Sequence, residues 1–409
     1  MSRISRRGRV RAAVLLAAAG SLVLTSCGSA GSDQQKSVKF VVLGAFTGKS
    51  ASQNAPILQG AKVAERVLNE QGGISGRPVE LVTKDDRGEI ASMVTAAREA
   101  ITDEDVYAVF VGNGTPGALA VQPILQPSGV AVFSVATGPQ VSNEKWPGFY
   151  RMNSNAAKEA TRLVEHFKSS GKKSLGLLWE NNDYGSGFAN SVKAAAKSAG
   201  VPVAASESVA PGSTNLTPEV GKLRAAGVDY LTTALLPAET VTASRAIASV
   251  GLDAMVVMNG ADMAFPAGRA LLGESGAGIM FRYFVYPFDP VLQTKPDTPV
   301  AETEMSAEAK KFWSVWYEAN GKRVDIAGHS VTGLPTYDWW SYDAMLMVGK
   351  AIEAGADDRA RVAAAIDKIG SFDLVASYRD IGDGHEFHRP GDMAFGQLQA
   401  DGTIKYNVK

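Results

Sequence analysis

Cysteine is nearly missing from this 409-residue chain: Cys27 stands alone, so no internal disulfide can form and no cysteine-based zinc site can be built. Histidine is scarce too, with four in all. His166 and His329 stand apart, and His385-x-x-His388 has no acid spaced with it as a zinc set. No Ser-His-Asp constellation can be traced, so the sequence implies no metal, no cofactor and no hydrolytic nucleophile. No run beyond residue 26 approaches the ~18 apolar residues that a membrane span needs.

What is present begins at the start. Arg3, Arg6, Arg7, Arg9 and Arg11 form a basic region ahead of the apolar Ala12 to Leu24, which is too short to span a bilayer and reads as an export signal over residues 1–26. Leu24-Thr25-Ser26-Cys27 resembles a lipobox, in which the cysteine is acylated and becomes the new N-terminus; Cys27 is then a lipid attachment site, and the expected location is the outer face of the cell membrane. Arg6-Arg7 leaves both general and twin-arginine export open. Gly28 to Lys36 reads as a flexible tether. Removal of residues 1–26 leaves 36 basic against 42 acidic residues, a net of about −6 that argues against nucleic acid as a partner.

From Val38 onward, short β-branched runs alternate with amphipathic stretches. Strands are expected at 38–44, 79–82, 107–111 and 130–133, with helices at 57–68, 91–101 and 118–125. A second series runs from a helix at 156–167 through strands at 175–179, 201–206, 230–234 and 255–258, with helices between them. Further helices are expected at 307–320, 339–353 and 359–369, and Asp401-Gly402 signals a C-terminal hairpin. The reading is α/β, with two doubly wound Rossmann-like lobes joined by a multi-strand hinge. Lobe 1 takes 38–153 plus 289–371, lobe 2 takes 154–288 plus 372–409, and 27–37 is anchor and tether. Such lobes would enclose a hinged cleft.

Gly44-Ala45-Phe46-Thr47-Gly48, Asn69-Glu70-Gln71-Gly72-Gly73-Ile74-Ser75-Gly76-Arg77 and Lys84-Asp85-Asp86 occur in order, followed by Gly114-Thr115-Pro116, Phe133-Ser134-Val135-Ala136-Thr137-Gly138, Asn182-Asp183-Tyr184-Gly185-Ser186-Gly187 and His388-Arg389-Pro390. Over nearly all of residues 38–409 the chain resembles the branched-chain amino-acid type of ABC-transporter solute-binding proteins. The resemblance implies a type I periplasmic-binding fold, a small carboxylate ligand such as an amino acid held between two closing lobes, an ABC permease as partner, and no chemistry on the ligand. Relatives that serve as sensors, or bind amides, urea or aromatic acids, keep a signalling role or a non-amine ligand open.

Gly112-Asn113-Gly114-Thr115-Pro116-Gly117 fits Gly-x-Gly-x-x-Gly, yet it follows the third strand instead of the first and has no acid about 20 residues on, so a dinucleotide is rejected. The loop is expected to cap a helix through Thr115, with Pro116 at the first helical position and backbone N–H groups turned to a carboxylate. The resemblance assigns that contact to Gly114 and Thr115 together with Ala136 and Thr137, and places Tyr184 over the ligand. Gln53 in the first long loop, Leu236, and Tyr337 or Trp339 match cleft-lining regions. Most of the aromatics Tyr337, Trp339, Trp340 and Tyr342 are expected in the core. Two departures stand out: Leu235-Leu236-Pro237 lacks the aromatic common in relatives, and the acid that would pair an ammonium is shifted to Asp262. A buried ammonium without a carboxylate costs several kcal/mol, so either Asp262 reaches the site or the ligand lacks a free amine; Asp262 as a helix cap is the other reading.

Overall fold

The computed structural model describes residues 36–48, 51–142, 144–259, 272, 276–284, 306–320, 324–326, 329–331, 338–378, 381, 385, 393–400 and 404–405. Cys27, Asp262, Tyr337 and His388 lie outside the described residues.

Five strands, β1 (Val38–Gly44), β2 (Val79–Asp85), β3 (Val106–Val111), β4 (Ala131–Ser134) and β5 (Phe149–Arg151), form a parallel sheet in the order β2-β1-β3-β4-β5. The inner strands β1, β3 and β4 are apolar at almost every position because both faces are covered, whereas the edge strand β2 is polar at Glu80, Thr83, Lys84 and Asp85. Phe40 and Val42 enter one core while Val41 and Leu43 enter another. The first core receives α1 (Ala51–Glu70), and α2 (Ile90–Thr102) and α3 (Gly114–Leu125) cover the opposite face.

The second sheet repeats the plan. Its strands are β6 (Leu175–Glu180), β7 (Val203–Val209), β8 (Tyr230–Ala234), β9 (Met255–Asn259) and β10 (Met280–Phe284), interleaved with α4 (Ala156–Ser169), α5 (Asp183–Ser198), α6 (Thr217–Ala225) and α7 (Pro237–Val250). The parallel order is β7-β6-β8-β9-β10. Again the pleat divides neighbours between two cores: Leu177, Val257 and Met280 face α4 and α5, whereas Leu178, Val256 and Phe281 face α6 and α7.

Three late helices, α8 (Ala307–Asn320), α9 (Asp338–Glu353) and α10 (Arg359–Ile369), share the first sheet's core through Phe312, Met347, Val362 and Ile366. α9 is buried nearly all round and lies against α1. Gly60 permits this approach: a Cβ there would sit 1.7 Å from the Asp338 carbonyl oxygen. Trp339, Trp340 and Tyr342 are core residues.

Two small antiparallel pairs complete the middle and end of the chain, β11 (Val324–Ile326) with β12 (His329–Val331) and β13 (Phe372–Asp373) with β14 (Ser377–Tyr378). Phe372, Leu374, Tyr378 and Ile381 sit in the first core, past the boundary expected at 371, because the Asp343 carboxylate of α9 accepts the backbone N–H groups of Val375 and Ala376 at 3.0 Å each. The chain then joins the second sheet as β15 (Met393–Leu398), antiparallel to β10, and β16 (Ile404–Lys405) pairs with it as the expected hairpin.

Candidate functional site

In each sheet the strand order reverses beside the first strand, between β1 and β3 and between β6 and β8. Helices leaving neighbouring strands there diverge to opposite faces, opening a crevice at the strands' carboxyl ends. One cavity of about 320 Å³ is lined by segments that follow β1 to β5 and β6 to β9, so the carboxyl edges of both sheets contribute to a single site.

On the first sheet's side the floor is built around Asn113. It holds a left-handed backbone, φ 55°, as does Gly114 after it, φ 58°. Asparagine is one of the few non-glycine residues that visit that conformation, and here its amide is anchored to two other segments. Its N–H donates to Asn54 Oδ1 (3.0 Å), its Oδ1 accepts from Ala45 N (3.2 Å), and its Nδ2 donates to Asp86 Oδ2 (2.7 Å). Burial pushes the Asp86 carboxyl above the usual carboxylate range, against the lowering effect of the Asn113 amide. Gly112 must lack a side chain, since a Cβ would lie 2.1 Å from Asn54 Oδ1.

α3 starts at Gly114, one turn earlier than expected, with Asn113 as N-cap. Thr115 is therefore inside the first turn, not the cap, and Pro116 is the third helical residue, not the first. At a helix start the first amides have no intrahelical acceptor; Pro116 lacks an N–H, so the first-turn donors among the cavity-lining residues are those of Gly114 and Thr115. The Thr115 side chain is buried and its Oγ1 accepts the N–H of Gly138 at 2.9 Å, tying the loop after β4 to the start of α3.

That loop is shaped from beneath by Arg151, which is buried and donates to the carbonyls of Ala136, Gly138 and Val141. Ala136 is thereby turned into the core and does not line the cavity. Val135 and Thr137 flank it and do. Thr137 Oγ1 is buried and has no hydrogen-bond partner among the described residues, so this hydroxyl does not serve the turn.

The second sheet's edge supplies the facing wall. Asn182 caps α5, its Oδ1 accepting Gly185 N at 2.9 Å, which puts Tyr184 in the helix's first turn. Asn259, ending β9, donates through Nδ2 to the Tyr184 hydroxyl at 2.9 Å. Leu235, Leu236 and Pro211 add apolar surface, and Ile57 and the half-exposed Ile90 do so from the first sheet's side. Glu180, the last residue of β6, also lines the cavity; it is 1% exposed and its Oε2 has no hydrogen-bond partner among the described residues. Burial, reinforced by the Glu239 carboxylate, pushes the Glu180 carboxyl up to about 7, although the Leu236 N–H and the Asn182 amide act in the other direction.

The structure thus brings Gly114, Thr115, Thr137, Tyr184 and Leu236 to one cavity. Gln53 falls in the first turn of α1, which starts at Ala51, instead of in a loop. Sequence reasoning passed over Asn54, Asn153, Glu180 and Asn182, all of which line the site. Position was the available signal for two of them, since Glu180 and Asn182 directly follow the expected strand ending at Trp179. The Asn69–Arg77 motif lies elsewhere and is a clasp: Asn69 exchanges two hydrogen bonds with Val79, Gly73 has φ 80° against the Arg77 carbonyl, and Arg77 donates to the Tyr107 hydroxyl at 2.7 Å.

Comparison with known proteins gives three results. A family profile described as "Periplasmic binding protein" matches residues 37–403. Leu/Ile/Val-binding protein homolog 3 of Brucella melitensis is 28% identical over 243 residues, 59% of this chain and 65% of that protein, so the chain spans just under two thirds of that relative's length. Among solved structures, a leucine-binding protein from Thermotoga maritima (TM-score 0.72, 20% identity, 91% of this chain and 98% of that one) and a solute-binding protein from R. palustris in complex with 4-hydroxybenzoate (TM-score 0.72, 20% identity, 91% and 96%) share the fold.

Proposed function

Because the chain belongs to the periplasmic binding protein family, we propose that it is the solute receptor of an ABC importer, capturing a small carboxylate ligand, an amino acid with a branched apolar side chain or a close analogue, and performing no chemistry on it. The observation that carries this reading is one cavity with helix-start amides and a Thr137 hydroxyl that has no partner among the described residues on one side, and Tyr184 with aliphatic Leu235 and Leu236 on the other. A carboxylate suits the first set, since the positive end of a helix and free N–H groups favour an anion. An apolar side chain suits the second. In this reading the ligand engages Gly114, Thr115 and Thr137 first and draws the second wall over it through Tyr184, as a ligand that binds the closed state better shifts the population toward it.

Cys27 is the lipid anchor in this proposal, residues 28–36 are the tether, and the receptor hands ligand to its permease at the outer membrane face, where tethering raises its local concentration. The test is a thermal-shift screen of residues 37–409 against leucine, isoleucine, valine, their keto acids, amides and aromatic acids. Binding to the native state alone raises the melting temperature. A rise with branched-chain amino acids or their keto acids supports the reading; a rise with amides only removes the carboxylate from it. A rise with 4-hydroxybenzoate and not with aliphatic acids favours an aromatic-acid receptor.

A further inference from the structure

The cavity contains an acid that the carboxylate-binding side does not use. Glu180 is 1% exposed, lines the cavity from the end of β6, and leaves Oε2 without a hydrogen-bond partner among the described residues. A buried carboxyl oxygen without a donor is costly unless something else supplies one. Among the described residues, the charged group that acts on it is a second buried acid, Glu239 in the first turn of α7, whose Oε1 already accepts Gly212 N at 2.6 Å. Two buried acids side by side present a negative potential where the opposite side of the cavity presents N–H donors.

We propose that Glu180 receives the ammonium group of a zwitterionic ligand whose carboxylate lies at the amides of Gly114 and Thr115. This rests on the cleft binding a small carboxylate, as argued above. It answers the question left by the shifted acid, because the amine's partner then comes from the end of β6 and not from Asp262. The ligand's ammonium gives Oε2 its donor and separates the like charges of Glu180 and Glu239. Tyr184, one turn on from the same strand end, and Asn259 line the same cavity and are bonded to each other. A des-amino analogue would leave Glu180 unsatisfied, so the site would discriminate against it.

Titration calorimetry with L-leucine and with 4-methyl-2-oxopentanoate, on wild type, Glu180→Gln and Asp262→Asn, tests this. Wild type is expected to prefer leucine, and Glu180→Gln to lose at least about 30-fold in leucine affinity while keto-acid affinity holds or rises, since hydrogen bonds to charged groups are the strong ones. A second readout needs no variant. With the free Glu180 carboxyl at about 7, leucine binding at pH 6 must release close to one proton, visible as a dependence of the observed heat on buffer ionisation enthalpy, and leucine affinity falls as pH drops below 7. If leucine binds and Glu180→Gln leaves its affinity unchanged, or no proton is released at pH 6, Glu180 is not the amine's partner although the receptor reading stands. Loss in Asp262→Asn instead also overturns it. Preference for the keto acid in wild type overturns the amine and keeps the carboxylate; binding of neither ligand removes both readings together.

Discussion

Asn259 Nδ2 donates to the hydroxyl oxygen of Tyr184 across 2.9 Å, joining the end of β9 to the first turn of α5. The bond fixes the ring at the cavity wall, so Tyr184 acts as an oriented surface whose polar tip is set by the neighbouring strand. Tyr184→Phe keeps the ring and removes the acceptor. The expected cost in affinity is about 1 kcal/mol, near fivefold in Kd, with little change in the unfolding midpoint. Tyr184→Ala, which also removes the ring, should lose more than tenfold. Calorimetry with the best ligand from the screen checks both; equal affinity in Tyr184→Ala and wild type would place the ligand away from this wall.

Thr137 gives a prediction in which stability and affinity move in opposite directions. Its Oγ1 is buried without a partner among the described residues, and Val matches its shape while removing the unsatisfied group. Thr137→Val should therefore melt at the same temperature as the free wild type or slightly above it. Ligand affinity should fall by about 1–2 kcal/mol, roughly tenfold or more, if the hydroxyl meets the ligand. Thermal unfolding with and without ligand separates the two effects, and a variant less stable when free would mean that the hydroxyl has a structural partner.

Asn113 concentrates backbone strain and side-chain bonding at one position. Its side chain bonds Ala45 N and Asp86 Oδ2 at φ 55°. Asn113→Gly keeps the backbone and loses those bonds, whereas Asn113→Ala loses both the bonds and the tolerance for left-handed geometry. Urea unfolding should show a loss of about 1–3 kcal/mol for Gly and a further ~1 kcal/mol for Ala. Equal losses in the two variants would remove the conformational part of the argument.

Much of the architecture was legible because its physics is periodic. Phe40, Val41, Val42 and Leu43 form a continuous apolar run of the kind a doubly covered parallel strand requires, and the repeated strand-then-helix spacing led to two sheets. A helix start differs from the expected one where a cap replaced the apolar signal: Asn113 begins α3 from a left-handed backbone, a turn before the expected start at 118. At the site, Thr137 and Tyr184 were readable as polar groups at strand ends. Ala136 was not separable from its neighbours, because what turns it inward is Arg151, well along the chain in β5. Glu180 was hidden for a related reason. An acid closing an apolar strand looks like a solvated end until the second sheet's edge is seen to border the same cavity as the first.

His166 supplies a pH dependence whose sign can be worked out. It is 5% exposed, its Nδ1 lies 2.8 Å from the Tyr230 hydroxyl, and its ring stacks on Phe395 at 3.9 Å. Burial, with the Arg162 guanidinium adding to it, lowers its pKa to about 4, below the ordinary value near 6.5. The folded state favours the neutral ring, so the contribution is fully present above about 6.5 and is lost as pH falls toward about 4. Over that window it is worth about 3 kcal/mol at most. Asp338 and Asp343, which burial pushes up to about 7, contribute the other way, their stabilisation fading as pH rises toward 7. Both remain in a His166→Gln variant and cancel in the difference between it and wild type. Urea unfolding at pH 7.0, 6.0, 5.0 and 4.5 should show wild type losing about 2–3 kcal/mol more than His166→Gln across the series, steepest between pH 6 and 4.5. A constant difference would mean that the ring protonates as readily in the folded chain as in the unfolded one.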